Sequence, residues 1–555
     1  MTFPSTIRPA VGQSLISKVS RLYNGTIADV LHELFQNGRR ASATAIRVAV
    51  YNLPEGSALS IYDDGSGIDD PATMLTLGDS GWQADILDRE DPAGMGVFSL
   101  AGQDVQVRSW SQSAERGWAV HIPADGWEGG LPLAIEPSGI VRGTEFQIRL
   151  PDAWATQLDA ALRKAALFFP LPVHFAGAEL PRADFLGEAD RVEEWEGCRI
   201  GIYPDGTSDD PQMPRINFHG LTVPCRLPVV DEVGHLRKWR VRIDIVDAPA
   251  LQLVLPARKE MVENDAFSRL RLAAETAIYR AIAAKTSHRL AHKDWLRAGE
   301  LGVSLPEAAS WLNGWEAATA DNFGRTVGAP VHDGPMILMP DQEPDIEQPL
   351  ARALRKDQPF GKRAVREESA FAGYDWYDAL PRILACTFRF ERDGAVHRYG
   401  SDIALPADLS SGPVDRLCAE VSVAPDANPS SMPEIYCLPV DMLACNNETW
   451  SLDDAVILFD VQADVQPGAL AGLIYASLFC ASDDHDCDSW ETQSSDFEAR
   501  ARDLANRLLL GEDEALVARV REAIFDHVQW LIPEGRSLSL TASLRDLTLT
   551  FEQAA

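Results

Sequence analysis

The sequence predicts an α+β protein, because helical and strand patterns are both present and the chain is long and apolar enough to bury cores. Its 555 residues, of which 46% are apolar, suffice for about three or four domains of roughly 100–200 residues each. An amphipathic helix pattern and several alternating strand patterns occupy residues 1–150, and the carboxy-terminal region mixes both patterns again.

Residues 25–40, GTIADVLHELFQNGRR, are predicted to form the first helix. The apolar residues that recur at the spacing of one helix face are Ile27, Val30, Leu31, Leu34 and Phe35. Glu33 and Asn37 are four residues apart, so they are neighbours on another face. A carboxylate can deprotonate a water while an amide oxygen binds Mg²⁺, although the pair taken alone is explained more simply as an exposed helix edge.

Two strands and a turn follow this helix. Residues 45–51 (AIRVAVY) alternate as a strand, residues 53–57 (LPEGS) form a turn, and residues 58–62 (ALSIY) form a second strand. That strand delivers Asp63 and Asp64 directly before two glycines, in DDGSG. Asp and Gly are common in turns, so a surface turn is the simplest interpretation of this motif unless other motifs accompany it.

The next motif is Gly94-Met95-Gly96, which precedes a short apolar helix pattern over residues 97–100. Glycines at the start of a helix expose backbone amides to a phosphate, and residues 78–93 before them have the polar composition of a mobile flap. The dinucleotide-binding fingerprint is excluded because Ser99 occupies its third glycine position, and no G-x-x-x-x-G-K-[ST] motif is present. Further on, Gly143-Thr144 opens an alternating strand over residues 145–150.

These four motifs, E-x-x-x-N, D-x-G-x-G-I, G-x-G and G-T, occur in one order over about 110 residues and resemble the GHKL (Bergerat-fold) ATPase superfamily. The ninety-kilodalton heat-shock chaperone, MORC and MutL branches are the most similar. The resemblance implies an amino-terminal Bergerat-type α/β sandwich, in which a sheet carries helices on one face and ATP lies between them under a lid. It also implies Mg²⁺-dependent ATP hydrolysis, with ATP and Mg²⁺ as cofactors.

The resemblance implies a role for each motif residue. Glu33 would be the general base for the attacking water, Asn37 the Mg²⁺ ligand, and Asp63 the acceptor of the adenine amino group, supported by Thr144. The implied nucleotide-binding residues are Asn37, Asp63, Gly65, Gly67, Ile68, Gly94, Met95, Gly96 and Thr144. The role of Asp64 stays open.

A fainter similarity extends into residues 151–290, which look like the transducer domain of the chaperone and topoisomerase branches. In that domain a loop sends a cation to the γ-phosphate, and by analogy Arg258 or Lys259 would be the catalytic cation here. A cation suits a phosphoryl group that gains charge in the transition state. A basic loop that merely precedes a helix over residues 265–283 explains the same residues equally well.

The chain also departs from the family pattern. The usual N-A-x-D-A reads Asn37-Gly38-Arg39-Arg40-Ala41, so Arg40 replaces an acid. Gly38 is expected to cost the helix about 1 kcal/mol relative to Ala. Asp79 stands where the chaperones carry a basic residue. These departures bear on the hydrolysis rate, which is predicted to be low, more than on nucleotide binding.

Four domains are predicted along the chain. Residues 1–150 form the nucleotide-binding domain, 151–290 the transducer-like domain, 291–350 a helical connector and linker, and 351–555 an acidic mixed α/β domain of unknown role. Within the connector, residues 302–318 are predicted to be helical and residues 340–349 to be a linker or exposed loop. In the last domain we expect a hairpin at Asp393-Gly394, a helix over residues 515–532 and alternating strands over residues 537–551.

The charge of the chain limits its partners. The net charge is −33, and residues 401–500 contain 19 acidic and two basic residues, a balance of 2 − 19 = −17. Such a surface repels nucleic-acid backbones and fits a basic protein client, although solubility alone also explains it. The eight cysteines lack a C-x-x-C pair, and no signal peptide or apolar run of about 20 residues is evident, so a cytoplasmic location without a membrane segment is expected.

The resulting hypothesis is an ATP-driven conformational clamp, chaperone-like or MORC-like, whose nucleotide domains close or associate as a homodimer when ATP binds. Two alternatives stay open. The chain could be a catalytically weak nucleotide-binding protein that recruits a partner, or a DNA-handling clamp of the MutL or MORC type.

Overall fold

The computed structural model describes residues 26–54, 56–76, 96–128, 132–204, 215–235, 237–254, 260–322, 327–446, 451–482 and 487–553. The chain divides into two compact units, of which the first ends at Glu307 and the second begins at Ala308. Both contain helices together with mixed or antiparallel sheets, which confirms the α+β class. The boundaries of the four predicted domains stay predictions. None of the described helices has both the length and the apolar composition needed to span a bilayer.

The first unit begins with an eight-stranded sheet. Its strands are β1 (Ile46–Leu53), β2 (Gly56–Asp63), β3 (Val105–Ser111), β4 (Arg116–Ile122), β5 (Ile135–Ser138), β6 (Thr144–Arg149), β7 (Val173–Phe175) and β8 (Ala178–Glu179). They lie in the order β5-β4-β3-β6-β2-β1-β7-β8, and every neighbouring pair is antiparallel except β1 with β7. This order places the ends of β2, β6 and β3 side by side.

Among the described residues, four helices accompany this sheet, and the first of them carries the predicted polar pair. They are α1 (Ile27–Arg40), α2 (Pro71–Met74), α3 (Asp152–Ala155) and α4 (Leu158–Leu167). α1 begins where the Thr26 hydroxyl accepts a hydrogen bond from the amide of Asp29 at 3.2 Å. Its apolar face is buried in the core as predicted, and Phe35 packs on Phe169 with ring centroids 5.3 Å apart. The first helix prediction is therefore confirmed.

A second sheet and two helices follow in the described part of the first unit. The strands are β9 (Arg191–Trp195), β10 (Cys198–Tyr203), β11 (Ile216–Phe218), β12 (Leu221–Val223), β13 (Val230–Asp231) and β14 (Lys238–Ile245), in the order β12-β11-β14-β10-β9 with β13 beside β14. The helices are α5 (Asp265–Ala283) and α6 (His292–Glu300). The bounds of α5 equal the prediction because Asn264 caps it, its side chain accepting from the Phe267 amide at 2.9 Å.

The described part of the second unit contains three sheets, a carboxy-terminal hairpin and five helices. Its strands are β15 (Leu312–Asn313), β16 (Pro330–Val331), β17 (Met336–Met339), β18 (Arg363–Arg366), β19 (Arg382–Arg392), β20 (Ala395–Tyr399), β21 (Gly412–Val414), β22 (Arg416–Ala424), β23 (Glu434–Pro439), β24 (Met442–Cys445), β25 (Val456–Asp460), β26 (Arg536–Ser543) and β27 (Asp546–Gln553). Its helices are α7 (Pro344–Asp357), α8 (Asp375–Asp378), α9 (Pro467–Leu478), α10 (Trp490–Leu510) and α11 (Glu512–His527).

Three predictions for this unit are confirmed. Asp393 and Gly394, with φ of 53° and 78°, form the turn between β19 and β20. α11 covers most of the predicted carboxy-terminal helix, and β26 pairs with β27 as an antiparallel hairpin.

The helix predicted over residues 302–318 is wrong. α6 ends at Glu300, and Gly302, with φ of 75°, has the left-handed conformation that terminates helices. The carbonyl of Leu305 accepts a hydrogen bond from the indole of Trp295 at 3.0 Å, and His288 Nε2 lies 2.9 Å from the carbonyl of Pro306. Side chains of the first unit therefore bind carbonyls that a helix would use internally.

The linker or exposed loop predicted over residues 340–349 is also wrong, because α7 begins there and its first turn is buried. Pro344 occupies the first helical position, where its missing N–H is not needed. Glu347 is 3% exposed and accepts hydrogen bonds from the amides of Ala318 and Gln342 at 2.7 and 2.9 Å. Hydrogen bonds from backbone amides elsewhere in the fold thus stabilise a buried carboxylate that the sequence alone suggests is on the surface.

Candidate functional site

The polar side of α1 faces Gly96, the described residue of the glycine motif, although about 60 residues separate them in the chain. Glu33 is 6% exposed, and Asn37 is partly buried one turn later. A Cβ added to Gly96 would lie 2.6 Å from Glu33 Oε2 and 3.7 Å from Asn37 Nδ2. Gly96 also begins a 3₁₀ helix that ends at Leu100. The fold thus brings a carboxylate, an amide and a glycine-initiated helical turn together.

Asp63 and Thr144 lie in one row across the sheet, and Ser109 continues that row. The register pairs Asp63 with Thr144 between β2 and β6, and Thr144 with Ser109 between β6 and β3. The Ser109 and Thr144 hydroxyls are 2.8 Å apart, and Ser109 Oγ accepts from the amide of Ile68 at 2.8 Å. Sequence reasoning missed Ser109. Its signal is the alternation of β3, which places a serine on the face that buries Val105 and Val107.

Asp63 is a buried carboxylate whose pKa lies close to neutral pH. It is 8% exposed, and burial raises its pKa to about 6 against the opposing hydrogen bond from the Gly65 amide to Oδ1 at 2.9 Å. At pH 7 the carboxylate is mostly ionised, so its oxygens can accept a hydrogen bond from a ligand N–H. A buried acceptor of this kind discriminates strongly against ligands that lack the donor.

The neighbouring Asp64 has a structural role. Its carboxylate accepts hydrogen bonds from the amides of Thr44 and Ala45 at 2.6 and 3.1 Å and from the Thr44 hydroxyl. Although partial burial opposes ionisation, the hydrogen bonds from Thr44 hold the pKa of Asp64 below its usual value. Asp64 therefore fastens the segment between α1 and β1 to the end of β2.

The glycines of the D-x-G-x-G-I and G-T motifs permit segments of the backbone to approach each other closely. Gly67 has φ of +83°, and a Cβ there would lie 2.1 Å from the carbonyl oxygen of Trp110. Gly143 has φ of +73°, and its Cβ would lie 1.9 Å from the carbonyl oxygen of Asp63. A Cβ on Gly65 would lie 2.6 Å from the carbonyl oxygen of Ala41. These contacts position the loop after β2 beside β3 and β6.

Gly38 has a packing reason that the sequence did not reveal. A Cβ at this position would lie 2.6 Å from Ile46 Cδ1 and 3.0 Å from Asp63 Cβ. The glycine therefore lets α1 approach the end of β2 at Asp63. This close packing explains why a residue that costs the helix about 1 kcal/mol relative to Ala is present here.

We expect Gly67→Ala to destabilise the protein, because the methyl group would overlap a backbone oxygen and the left-handed conformation disfavours a side chain. The free energy of unfolding, measured by chemical denaturation, should fall by at least about 2 kcal/mol. Gly139→Ala is the matched control, since a Cβ at Gly139 has no heavy atom of the described chain within 4 Å. Equal stability of the two variants would contradict the proposed role of Gly67.

Arg40 lies beside the predicted metal ligand. Its Nη1 donates a hydrogen bond to Asn37 Oδ1 at 3.4 Å, the amide oxygen that would bind Mg²⁺. Among the described residues, no group of three or more His, Cys, Asp or Glu side chains could hold a metal.

α1 also contacts the second sheet of the same unit through Gln36. Gln36 is buried, and its Nε2 donates to the carbonyl of His219 at 2.6 Å. His219 precedes β12 and has φ of 54°, an uncommon conformation for a residue other than glycine. Arg39 Nε donates to the Gln36 side-chain oxygen at 3.1 Å. This link between the predicted nucleotide helix and the transducer-like region was not predicted from the sequence.

Five residues that the sequence analysis singled out are outside the described ranges. They are Asp79, Gly94, Met95, Arg258 and Lys259. The described members of the predicted site are Glu33, Asn37, Asp63, Gly65, Gly67, Ile68, Gly96 and Thr144, and all lie in the first unit.

Comparisons with known proteins give little support for a family. No protein-family model matches this sequence, and no curated protein matches it. Among solved structures, the chain is similar to the ATPase and transducer domains of DNA topoisomerase II from Balamuthia mandrillaris, at 16% sequence identity and a TM-score of 0.28. The match covers 35% of this chain and 60% of the other, which is less than two thirds of its length. A structural likeness this weak establishes no family for this chain.

Proposed function

We propose that the first unit binds ATP and hydrolyses it slowly in the presence of Mg²⁺. The proposal rests on one observation, namely that residues of four separated motifs lie in one unit, as two groups at the ends of β2, β6 and α1. One group is Glu33, Asn37 and Gly96, and the other is Asp63 and Thr144. The first suits phosphate chemistry and the second suits recognition of a base.

Each group has a chemical task in this proposal. Ionised Asp63 accepts a hydrogen bond from the adenine amino group, and the Thr144 hydroxyl, held by Ser109, supports that end of the pocket. Glu33 accepts a proton from the attacking water. The amide nitrogens of the helical turn beginning at Gly96 face the phosphates. Mg²⁺ held through Asn37 would neutralise charge that develops on the phosphoryl group.

We further propose that ATP drives closure or dimerisation of the nucleotide-binding region, in the manner of a chaperone-like or MORC-like clamp. The hydrogen bond from Gln36 to His219 supports this proposal, because it ties α1 to the second sheet. A shift of α1 on nucleotide binding would strain or break that bond. ATP must prefer the closed state by a few kcal/mol for closure to be populated.

The direct test is calorimetric titration of the full chain with ATP and with GTP in the presence of Mg²⁺, together with phosphate release. We expect ATP to bind at least about tenfold more tightly than GTP, because guanine has a carbonyl where adenine presents its amino group. Absence of ATP binding, or equal affinity for the two nucleotides, would contradict the proposal.

A catalytically weak nucleotide-binding protein is a second candidate, and the contact of Arg40 with Asn37 favours it. A guanidinium at the metal-binding oxygen opposes Mg²⁺ by charge repulsion and by occupying the acceptor. Nucleotide would then stabilise a conformation that recruits a partner, with little hydrolysis.

We expect Arg40→Ala to lower the Mg²⁺ concentration needed for half-maximal phosphate release by about fivefold, since this substitution removes about 1 kcal/mol of competing interaction. Arg39→Ala is the matched control. It removes the same charge from the position next to Arg40, but the Arg39 side chain bonds Gln36 and not Asn37. An equal Mg²⁺ response in both variants would show that only general charge matters.

A further inference from the structure

The second unit contains a cavity of about 850 Å³. It lies between the carboxy-terminal half of α7, the strands β17 and β18, and the segment that follows β15. β17 and β18 are parallel neighbours and α7 connects them along the chain, so the cavity adjoins one β-α-β unit. Sites for small molecules usually measure about 300–1,000 Å³. The cavity therefore has the size of a small-molecule site.

Two aromatic side chains give this cavity a flat apolar lining. Trp315 and Phe360 line it together with Leu354, and all three pack against the core of the second unit. The Phe360 ring is held edge-on by Tyr436, with ring centroids 5.1 Å apart, and the amide of Trp315 donates to the carbonyl of Ala364 at 3.0 Å. Both aromatic residues are only partly buried. The cavity thus offers fixed apolar surface on which a planar ring can pack.

Three basic side chains line the same cavity without an acidic partner. They are Arg355, Lys362 and Arg363, and all three are exposed. Among the described residues, no carboxylate forms an ion pair with any of them, and Lys362 Nζ donates to the carbonyl of Phe360 at 3.5 Å. Of the described lining residues, Glu316 alone is acidic. The cavity therefore has an excess of positive charge.

Basic residues next to the cavity differ from those that line it. Lys356 pairs with Asp441, and Arg366 pairs with Asp341, each at 3.0 Å. Residues 351–366 contain six basic residues and one acidic residue, a balance of 6 − 1 = +5 in a chain whose net charge is −33. Acidic partners are thus abundant in this protein, yet the cations that line the cavity have none. This arrangement favours a ligand that supplies the negative charge.

The charge of the lining indicates which anion fits. Three cations and Glu316 give 3 − 1 = +2, and a phosphate monoester carries a charge of about −2 at pH 7, whereas a carboxylate or sulfonate carries −1. Arginine also pairs with phosphate through two parallel hydrogen bonds. The dipole of α7 explains a cation in its last turn, as at Arg355, but it does not explain Lys362 and Arg363, which follow the helix.

We propose that this cavity binds a small phosphate monoester that carries a flat aromatic ring. Arg355, Lys362 and Arg363 bind the phosphate, and the ring packs on Trp315 and Phe360. All of the lining residues belong to the second unit, whereas Glu33, Asp63 and the other described residues of the proposed ATP site belong to the first. The proposal therefore does not depend on ATP binding.

The test uses 1-naphthyl phosphate as the probe, titrated into the full chain by calorimetry at pH 7.5 or above, where the phosphate is fully ionised. 1-Naphthalenesulfonate keeps the ring but has a single charge, and inorganic phosphate keeps the charge but has no ring. We expect a Kd of about 1 mM or tighter for 1-naphthyl phosphate. It should bind at least about fivefold more tightly than either comparison compound.

Two substitutions locate the binding in the cavity. Arg355→Ala and Arg363→Ala should each weaken binding of 1-naphthyl phosphate at least about tenfold, because each removes a charged hydrogen-bond donor. Lys356→Ala is the matched control, since it removes the same charge from the next residue, whose side chain pairs with Asp441. It should change the affinity by less than about twofold. Circular dichroism and thermal unfolding check that each variant is folded.

Three results would overturn the proposal. The first is no binding of 1-naphthyl phosphate to the wild-type chain at concentrations up to about 5 mM. The second is equal affinity for 1-naphthyl phosphate and either comparison compound, which would show that the phosphate or the ring is not recognised. The third is a loss of affinity in Lys356→Ala as large as in Arg355→Ala, which would show that only general charge matters. If Arg355→Ala proves unfolded, Arg363→Ala decides by the same measurement.

Discussion

Replacing Asp63 with Asn is expected to abolish ATP binding and at the same time to stabilise the nucleotide-free protein. In the proposed site the carboxylate accepts a hydrogen bond from the adenine amino group. An Asn side chain whose oxygen bonds the Gly65 amide would turn its NH₂ group toward the adenine amino group, so that two donors would face each other. A loss of at least about a hundredfold in ATP affinity is expected, measured by calorimetry. The hydrogen bond from the Gly65 amide can be kept, since Asn also has an oxygen acceptor.

The gain in stability follows from the pKa of Asp63. The folded-state pKa is about 6, and the unfolded value is about 3.9. Because the folded state holds the proton more tightly, the contribution of Asp63 to stability is greatest below about pH 4 and is lost as the pH rises through 6. At pH 7 ionisation therefore costs on the order of 2–3 kcal/mol. Asp63→Asn should recover part of this cost at pH 7 and little at pH 4.5, as measured by chemical denaturation.

The adjacent carboxylate provides the control. Asp64→Asn removes the negative charge that the amides of Thr44 and Ala45 stabilise, together with the oxygen that accepts from the Thr44 hydroxyl. Because the pKa of Asp64 is lowered, the substitution should destabilise the protein at pH 7 and leave ATP affinity nearly unchanged under folding conditions. At pH 7 we therefore expect Asp63→Asn to raise the free energy of unfolding and Asp64→Asn to lower it. If Asp63→Asn binds ATP as the wild type does, Asp63 does not recognise the base.

Replacing Glu33 with Ala is expected to leave ATP binding largely intact and to reduce turnover about 10²- to 10⁴-fold, the usual contribution of a general base. Glu33 is buried beside Gly96 on α1, where its carboxylate would meet a water at the γ-phosphate rather than the base. Phosphate release and ATP affinity are measured on the same preparations. Glu33→Gln keeps the shape of the side chain and should be equally slow.

Asp29→Asn is the matched control for Glu33, since it removes an acidic charge from the same helix one turn earlier, where the side chain bonds Thr26. It should leave turnover within about threefold of the wild type. Turnover that persists in both Glu33 variants would show that another group activates the water or that the measured hydrolysis has a different origin.

Local patterns predicted the elements of the site with good accuracy. The apolar periodicity of α1, the alternation of β1, β2 and β6, and the pattern that predicted a helix over residues 265–283 are properties of neighbouring residues, and the structure confirms each element. The same reasoning failed at residues 302–318 and 340–349. There, contacts such as Trp295 with Leu305 and Glu347 with Ala318, made between residues 10 and 29 positions apart, outweigh local propensity.

The sequence by itself determined the order of the four motifs, the residue types that could perform phosphate chemistry, and the helices and strands that carry them. Only the tertiary structure decided that Gly96 lies against Glu33 and that Gly38 packs against Asp63. It also decided that Asp64 has a structural role and that Ser109 lies in the same row across the sheet as Thr144. Periodicity follows from the geometry of one helix or strand, whereas these contacts depend on sheet order and on where chain segments approach within a few ångströms. No local pattern encodes that approach.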